Sequence, residues 1–346
     1  MTTIYDVADA AGVSPKTVSR VLNGDGPVNE KTRALVTETI RRLNYVPSQA
    51  ARMMRLQKSG VVGVVTGAIS GDATDIAGGL PELYILQGVQ RVLSAAGKIA
   101  MIADIGDDED RVPALMRSFS ERRVEGLILI SGHHRQVSLP PVSAGVPVVL
   151  ANCFYGGGIA AVVPDDEAGQ REGVTGLIDR GHRRIAFLTL PEGSLAARMR
   201  TEGYRSALAA GGLPFDPRLV LAAPDVGAGD DALGAALDRL LSGEAPPTAL
   251  CCGNDHLAMR VGGLLQKRGR RIPEDLSILG FDDHRLITEH LHPRLASVEL
   301  PYAAIGKRAA ERLLERIADV GIAGSAAAVE RLVGPVHWRE SVRTLK

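Results

Sequence analysis

Along the first 22 residues the apolar positions Val7, Ala8, Ala11, Val13, Val18, Val21 and Leu22 recur at helical spacing with a break in the middle. This predicts two short helices packed on one another through a turn. Gly12 stands where the first helix must stop, since glycine takes the left-handed conformation at least steric cost. Ser14 is placed to cap the second helix, with Pro15 in the first helical position, where a missing N–H costs nothing. Beyond a turn cluster at 23–27, Asn29 is expected to cap a third helix over 30–43, with Leu35, Thr39, Ile40 and Leu43 inward and Arg41 and Arg42 outward. The stretch 48–56 can be helical but is too short and too lightly apolar to stand alone in water.

From Val61 the pattern changes. Residues 61–66 form a continuous apolar run, the mark of a strand buried on both faces. Further strands are predicted at 98–103, 126–130, 147–151, 161–163, 185–190, 219–221, 248–252, 276–281 and 296–299. Helical periods fall between them at 81–96, 109–122, 166–180, 197–210, 230–242, 254–269 and 301–319. Such alternation implies parallel sheets with right-handed crossovers, and ligands then bind outside the carboxyl ends of the strands. The boundary between the helical start and the α/β remainder lies near residue 58.

At 346 residues the chain is too long for one ordinary domain. Its net charge is zero, yet residues 1–60 hold nine Lys/Arg against five acids, so this segment carries +4 and the rest −4. The excess lies where a phosphate backbone would need it. The second predicted helix turns Lys16, Thr17, Ser19 and Arg20 outward with no acid among them. That is the pattern of a helix-turn-helix whose second helix enters the DNA major groove; the plainer reading is an ordinary helical hairpin. Cys153, Cys251 and Cys252 lack paired spacing and read as buried thiols of a reducing cytoplasm. The start carries no basic-then-apolar leader, and no run approaches the ~18 apolar residues of a membrane span, so a cytoplasmic protein without membrane contact is expected. No Gly-x-Ser-x-Gly elbow, Walker loop or clustered metal ligands occur, so neither catalysis, a cofactor nor a resident metal is expected.

Several separated motifs carry a resemblance. They are the opening stretch through Asn23, Tyr45-Val46-Pro47 with Ala51-Arg52, Arg180-Gly181-His182-Arg183-Arg184-Ile185-Ala186-Phe187, Glu202-Gly203-Tyr204, Asn254-Asp255, 271–283 and Trp338-Arg339-Glu340-Ser341. In order and at family spacing over nearly the whole chain, they resemble the LacI/GalR family of bacterial transcription regulators. The resemblance implies an all-α helix-turn-helix headpiece (1–46), a hinge helix (47–58) and an α/β periplasmic-binding-protein-like core (59–346) of two parallel-sheet subdomains. The amino subdomain would take about 60–161 and 292–320, the carboxyl one about 162–290 and 321–341. It also implies a homodimer on a palindromic operator and a sugar-like effector bound between the subdomains, with a purine-like ligand as the alternative. The tail to Lys346 shows no leucine heptads, so a dimer is expected over a tetramer.

Carried over residue by residue, the family's DNA-reading positions fall on Pro15, Lys16 and Arg20, with Thr17, Ser19 and Asn23 beside them and Ala51 and Met54 in the hinge. Lys16 and Arg20 suit guanine O6 and N7, Pro15 offers only apolar contact, and Thr17 and Ser19 suit phosphates. Met54 replaces the usual leucine wedge of the minor groove; the alternative is that Met53 and Met54 pack the hinge helices together. The effector positions fall on Asp165, Asp166, Arg200, Asn254 and Asp282, a mix of acceptors and forked donors that suits vicinal hydroxyls. Taken singly, Asn254 reads equally as a helix cap and Asp282-Asp283 as a turn.

Some features fit this pattern less well. Aromatic residues make up 3% of the chain, leaving Tyr84, Phe154 and Tyr155 as stacking candidates and Phe281 as core. Asn152 stands where the family has an aspartate and is a further candidate contact. The 67–80 loop and Ser131-Gly132-His133-His134-Arg135 lie at strand carboxyl ends. His133 and His134 are read as part of a solvated loop, with a ligand contact or metal ligand as alternatives. Residues 155–158 are read as a linker between the subdomains.

Overall fold

The computed structural model describes residues 2–45, 59–70, 80–106, 108–139, 146–224, 229–242, 244–319 and 328–346. The chain divides into two compact units, Met1–Gly60 and Val61–Lys346.

In the first unit, α1 (Ile4–Ala11) starts with a reciprocal cap: Thr3 Oγ1 accepts from the Asp6 N–H, and the Asp6 carboxylate accepts from the Thr3 N–H at 2.7 Å. Those bonds, the Thr3 N–H first, hold the Asp6 carboxyl below its ordinary value. Gly12 closes the helix at φ +61°. α2 (Pro15–Asn23) is capped by Ser14, whose Oγ accepts from the Thr17 N–H at 3.2 Å. α3 (Glu30–Arg42) is capped by Asn29, whose Oδ1 accepts from the Thr32 N–H at 2.8 Å. Val7, Ala8, Ala11, Val18 and Val36 form the buried centre, with Val21, Leu22, Ile40 and Leu43 packed around it. Leu35, expected inward, is 51% exposed, and Val36 takes its place. The phase of the third helix is set by Val36, Thr39, Ile40 and Leu43, which follow one face at i, i+3, i+4 and i+7.

The second unit holds two six-stranded sheets. The amino sheet comprises β1 (Val61–Thr66), β2 (Ile99–Asp104), β3 (Leu127–Gln136), β4 (Val148–Phe154), β5 (Ala160–Pro164) and β11 (Val329–Leu332), ordered β11-β5-β4-β3-β1-β2. The carboxyl sheet comprises β6 (Ile185–Thr189), β7 (Val220–Ala222), β8 (Ala249–Cys252), β9 (Ser277–Asp282), β10 (Ala296–Glu299) and β12 (Val336–His337), ordered β12-β10-β9-β8-β6-β7. Pairings are parallel except β12 on β10, where Ser297 faces His337. The helices are α4 (Leu80–Ala95), α5 (Val112–Glu121), α6 (Asp166–Asp179), α7 (Leu195–Ala210), α8 (Gly229–Leu241), α9 (Asp255–Lys267), the single turn α10 (Arg285–Thr288) and α11 (Tyr302–Ala318).

Three expectations are corrected. β10, assigned to the amino subdomain, pairs with β9 in the carboxyl sheet, while β11, assigned to the carboxyl one, pairs with β5 in the amino sheet. The chain therefore crosses after Pro164, Glu299 and Leu332. α11 does lie on the amino side: Gly306 lets its backbone approach the Ile85 carbonyl of α4, where a Cβ would collide. Second, 155–158 is the turn between β4 and β5 of one sheet, not a linker between subdomains. Third, Ser131–Arg135 is strand rather than loop, and of its two histidines His133 is exposed to solvent as expected whereas His134 is not. β3 runs on through Gln136, shifting register on β4 so that Arg135 pairs with Cys153 and Gln136 with Phe154. The continuation is not visible in the residue order because Gly132 and two histidines interrupt the apolar run at that shift.

Candidate functional site

On α2, Lys16 and Arg20 are exposed, and among the described residues neither has an acidic partner. Pro15, Thr17 and Ser19 are half-buried. Both hydroxyls already have local partners: Thr17 Oγ1 lies 3.0 Å from Ser14 Oγ, and Asn23 Nδ2 donates to Ser19 Oγ at 3.2 Å and to its carbonyl at 2.5 Å. Tyr5, 66% exposed on α1, is a further hydrogen-bonding group that the apolar pattern gave no reason to single out. Ala51 and Met54 lie outside the described residues.

In the core, the carboxyl ends of the strands bring three of the five effector candidates together. Asp166, at the first turn of α6, is fully buried. Its Oδ1 accepts from Arg200 Nε at 2.7 Å, and its Oδ2 lies 2.7 Å from His134 Nδ1. Arg200, on α7 and 4% exposed, also donates from Nη1 to the Gly253 carbonyl and reaches Asp282 at 3.9 Å. Its guanidinium stacks 3.8 Å from the centre of the Phe281 ring. Phe281 is core, as read from the sequence. Asn254, next to the carbonyl held by Arg200, caps α9 by accepting from the Leu257 N–H at 2.8 Å. Asp165 caps α6 through the Ala168 N–H at 3.0 Å. It serves the helix rather than joining the Arg200 cluster.

The electrostatics follow from burial and pairing. Burial would raise the Asp166 carboxyl, but Arg200 and His134 outweigh it and hold it below its ordinary value. Asp282 goes the other way: burial, only partly offset by Arg200 and reinforced by Asp166, pushes it up to about 7. Asp255, which accepts from Ser297 Oγ at 2.6 Å and the His284 N–H at 2.7 Å, is pushed well above the carboxylate range by burial and by Asp282. Near neutral pH the site thus contains one firm anion, one firm cation and carboxyls that retain protons.

His134, expected in solvent, has a side chain only 5% exposed and comes from the amino sheet. The extension of β3 carries it to Asp166 on the carboxyl side. Phe154, one of the stacking candidates, meets its ring edge-on at 6.0 Å. Asn152 sits at φ +61° and donates to the Ser131 carbonyl at 2.8 Å, leaving its buried Oδ1 without a partner. Of the 67–80 loop, 71–79 lies outside the described residues. Among the described residues, Asp283, Glu299 and His337 have metal-ligand chemistry within 4.8 Å of one another. Arg339, 2.8 Å from Asp283, makes this group part of an ion-pair cluster. The three cysteines are buried thiols, and among the described residues no helix is long and apolar enough to cross a membrane.

A three-helix unit whose second helix carries cations with no acidic partner among the described residues, and a core of two sheets joined by three crossovers, fit a DNA-binding regulator built on a periplasmic-binding-protein-like core. Comparison with known proteins gives the family. Residues 3–48 match the profile described as bacterial regulatory proteins, lacI family, and residues 174–342 match the periplasmic binding protein-like domain. The chain is 34% identical over 349 residues to the catabolite control protein A of Priestia megaterium, covering 99% of each. It is 30% identical to the ribose operon repressor of Haemophilus influenzae, covering 92% of each. A solved complex of the transcriptional regulator CelR with cellobiose superposes with a TM-score of 0.64 at 30% identity, covering 99% of this chain and 100% of that one. The chain belongs to the LacI family of DNA-binding transcriptional regulators, as the motifs had implied.

Proposed function

We propose that this chain is a repressor whose homodimer reads a palindromic operator and releases or grips it according to a small polar effector bound between the core subdomains. Lys16 and Arg20 read base edges, with Pro15 in apolar contact. Thr17, Ser19 and Asn23 position the helix on phosphates, while Ala51 and Met54 of the 47–58 segment engage the minor groove. In the cleft, Arg200 supplies forked donors, Asp282 a carboxyl that still carries a proton near neutral pH, and Asn254 an amide whose Oδ1 is spent on its helix. Asp165 holds α6 in place beneath them.

The observation that carries this reading is the Asp166–Arg200–Asp282 chain at the carboxyl ends of β5 and β9, where an α/β core places its ligand. Donors and acceptors alternating in a desolvated crevice suit a sugar or sugar derivative, and two of the similar proteins are named for ribose and cellobiose. Coupling requires that the effector bind the two core states unequally. Thermal-shift measurements against ribose, cellobiose, glucose, gluconate and hypoxanthine, followed by operator gel shifts with each hit, test it. A sugar that raises the melting temperature and changes operator affinity is expected. A response to hypoxanthine alone moves the effector to the purine class, and stabilisation by a sugar without any change in operator affinity removes the coupling.

A further inference from the structure

We infer that His134 is a specificity-determining residue of the effector cleft, held as a hydrogen-bond acceptor by Asp166, and that Asp166 itself is a positioning residue without ligand contact. The inference rests on the reading of the cleft as the effector site.

Three observations lead to it. Asp166 is fully buried, and each of its carboxylate oxygens is engaged, Oδ1 by Arg200 at 2.7 Å and Oδ2 by His134 Nδ1 at 2.7 Å. A carboxylate that stays ionised has no hydrogen to give, so the proton in the second contact must sit on His134 Nδ1. In a neutral imidazole the other nitrogen is then a bare lone pair. Nε2 has no partner among the described residues, while Phe154 packs edge-on against the ring at 6.0 Å and restricts its rotation. Asp166 therefore orients two groups of opposite character: Arg200 as a pure donor and His134 Nε2 as a pure acceptor.

The two groups also stand on opposite sides. His134 belongs to the strand β3 of the amino sheet, whereas Asp166 and Arg200 are on α6 and α7, and α6 packs under the carboxyl sheet, with Gly169 against Phe281 and Val298. The Nδ1–carboxylate bond thus ties the subdomains across the cleft. A ligand hydroxyl that donates to Nε2 while accepting from Arg200 reads the same tie from inside. This fits a polyol with adjacent hydroxyls, in which one oxygen donates and its neighbour accepts. A ligand presenting only acceptors to this corner would face a lone pair.

The test uses the full chain, labelled with nitrogen-15 at histidine, and long-range imidazole spectra in mildly alkaline buffer without ligand. His134→Asn assigns the resonance and places an amide N–H where Nδ1 was, keeping the tie to Asp166 but deleting Nε2. The expected result is a protonated Nδ1 and an unprotonated Nε2 for His134. Any sugar of the panel that stabilises the wild type should bind His134→Asn about fivefold or more weakly, the scale of one lost hydrogen bond. His134→Gln, which returns a polar atom near the Nε2 position, should recover part of that loss. A proton on Nε2 overturns the inference whatever the cleft binds. Equal sugar affinity in His134→Asn and wild type overturns it as well. An unprotonated Nε2 with no panel member bound leaves the imidazole assignment standing and refutes the effector reading on which its ligand role depends.

Discussion

The second helix of the headpiece and the cleft of the core both use arginine, and they use it in opposite ways. Arg20 is exposed and has no acidic partner among the described residues. Arg200 is 4% exposed and committed to Asp166, Asp282 and a backbone carbonyl at once. A free surface cation costs little to hold and waits for a polyanion from outside, so its energy is realised only on DNA. A buried cation must be neutralised before anything binds, so its energy is already part of the fold. On the proposed reading, ligand recognition in the cleft would exchange partners within a satisfied network, whereas recognition by the headpiece would be the first pairing those charges make.

The largest expected effect therefore belongs to the core. Arg200→Met keeps the volume but leaves Asp166 buried with half its partners, and should destabilise the core by about 3–5 kcal/mol in urea unfolding. Loss of less than about 1 kcal/mol would mean that water reaches Asp166. A smaller effect is expected from Asp282. It holds its proton up to about 7 in the fold, against an ordinary value of 3.8. Between these values the native chain binds more protons than the unfolded one, so this group's contribution to stability falls as pH rises through the window. Asp166 has the opposite sign, contributing above the unfolded value and losing its contribution as pH falls below it. Melting temperatures of wild type and Asp282→Asn across about pH 4 to 7 separate the two, since the variant should lose the downward trend of Asp282 alone. Parallel profiles would show that Asp282 titrates as an ordinary surface acid.

The same contrast explains what could be read in advance. Headpiece information is local: Gly12, Ser14 and Asn29 each act on residues three or four positions away and Pro15 acts at its own position, so caps and ends follow directly from the order of residues. Leu35 was misplaced by a single step because Leu35 and Val36 offer competing apolar phases, and only packing against α1 and α2 chooses between them. Cleft information is not local. His134 and Asp166 are 32 positions apart and meet only because β3 continues past its shift in register. Strand periodicity ends at Gly132, so nothing in the neighbouring residues announces the extension. The family positions Asp166, Arg200 and Asp282 do come together, but the burial of Asp166 and its engagement by both Arg200 and His134 are not written in the neighbouring residues. The exchange of β10 and β11 was missed for a related reason: a four-residue strand carries its hydrophobic pattern but not the identity of its partner.

Arg20→Ala should leave unfolding unchanged within about 0.5 kcal/mol, because no internal partner is lost. Operator binding should weaken by about 1–3 kcal/mol, with relaxed preference at one base pair. Anisotropy titrations against operators varied one position at a time distinguish this from a phosphate contact, which would weaken all sequences alike. A measurable loss of fold stability in Arg20→Ala would contradict the distinction drawn between the two arginines.

The smallest effect tests how rigidly the headpiece presents those free charges. Ser14 Oγ accepts the Thr17 N–H at 3.2 Å and also meets Thr17 Oγ1 at 3.0 Å. Ser14→Ala removes both contacts and should cost about 1 kcal/mol, seen as faster amide exchange in the first turn of α2. Ser14→Asp keeps an acceptor at the cap and adds a charge that suits the helix start, so exchange should return to wild-type rates. On the operator the two variants should part company. The aspartate places a negative charge beside the phosphates and weakens binding despite the repaired helix, whereas the alanine weakens it only as far as α2 frays. If both lost operator affinity equally, local fraying would not be what limits the reader, and the cap would matter only as a polar group facing DNA.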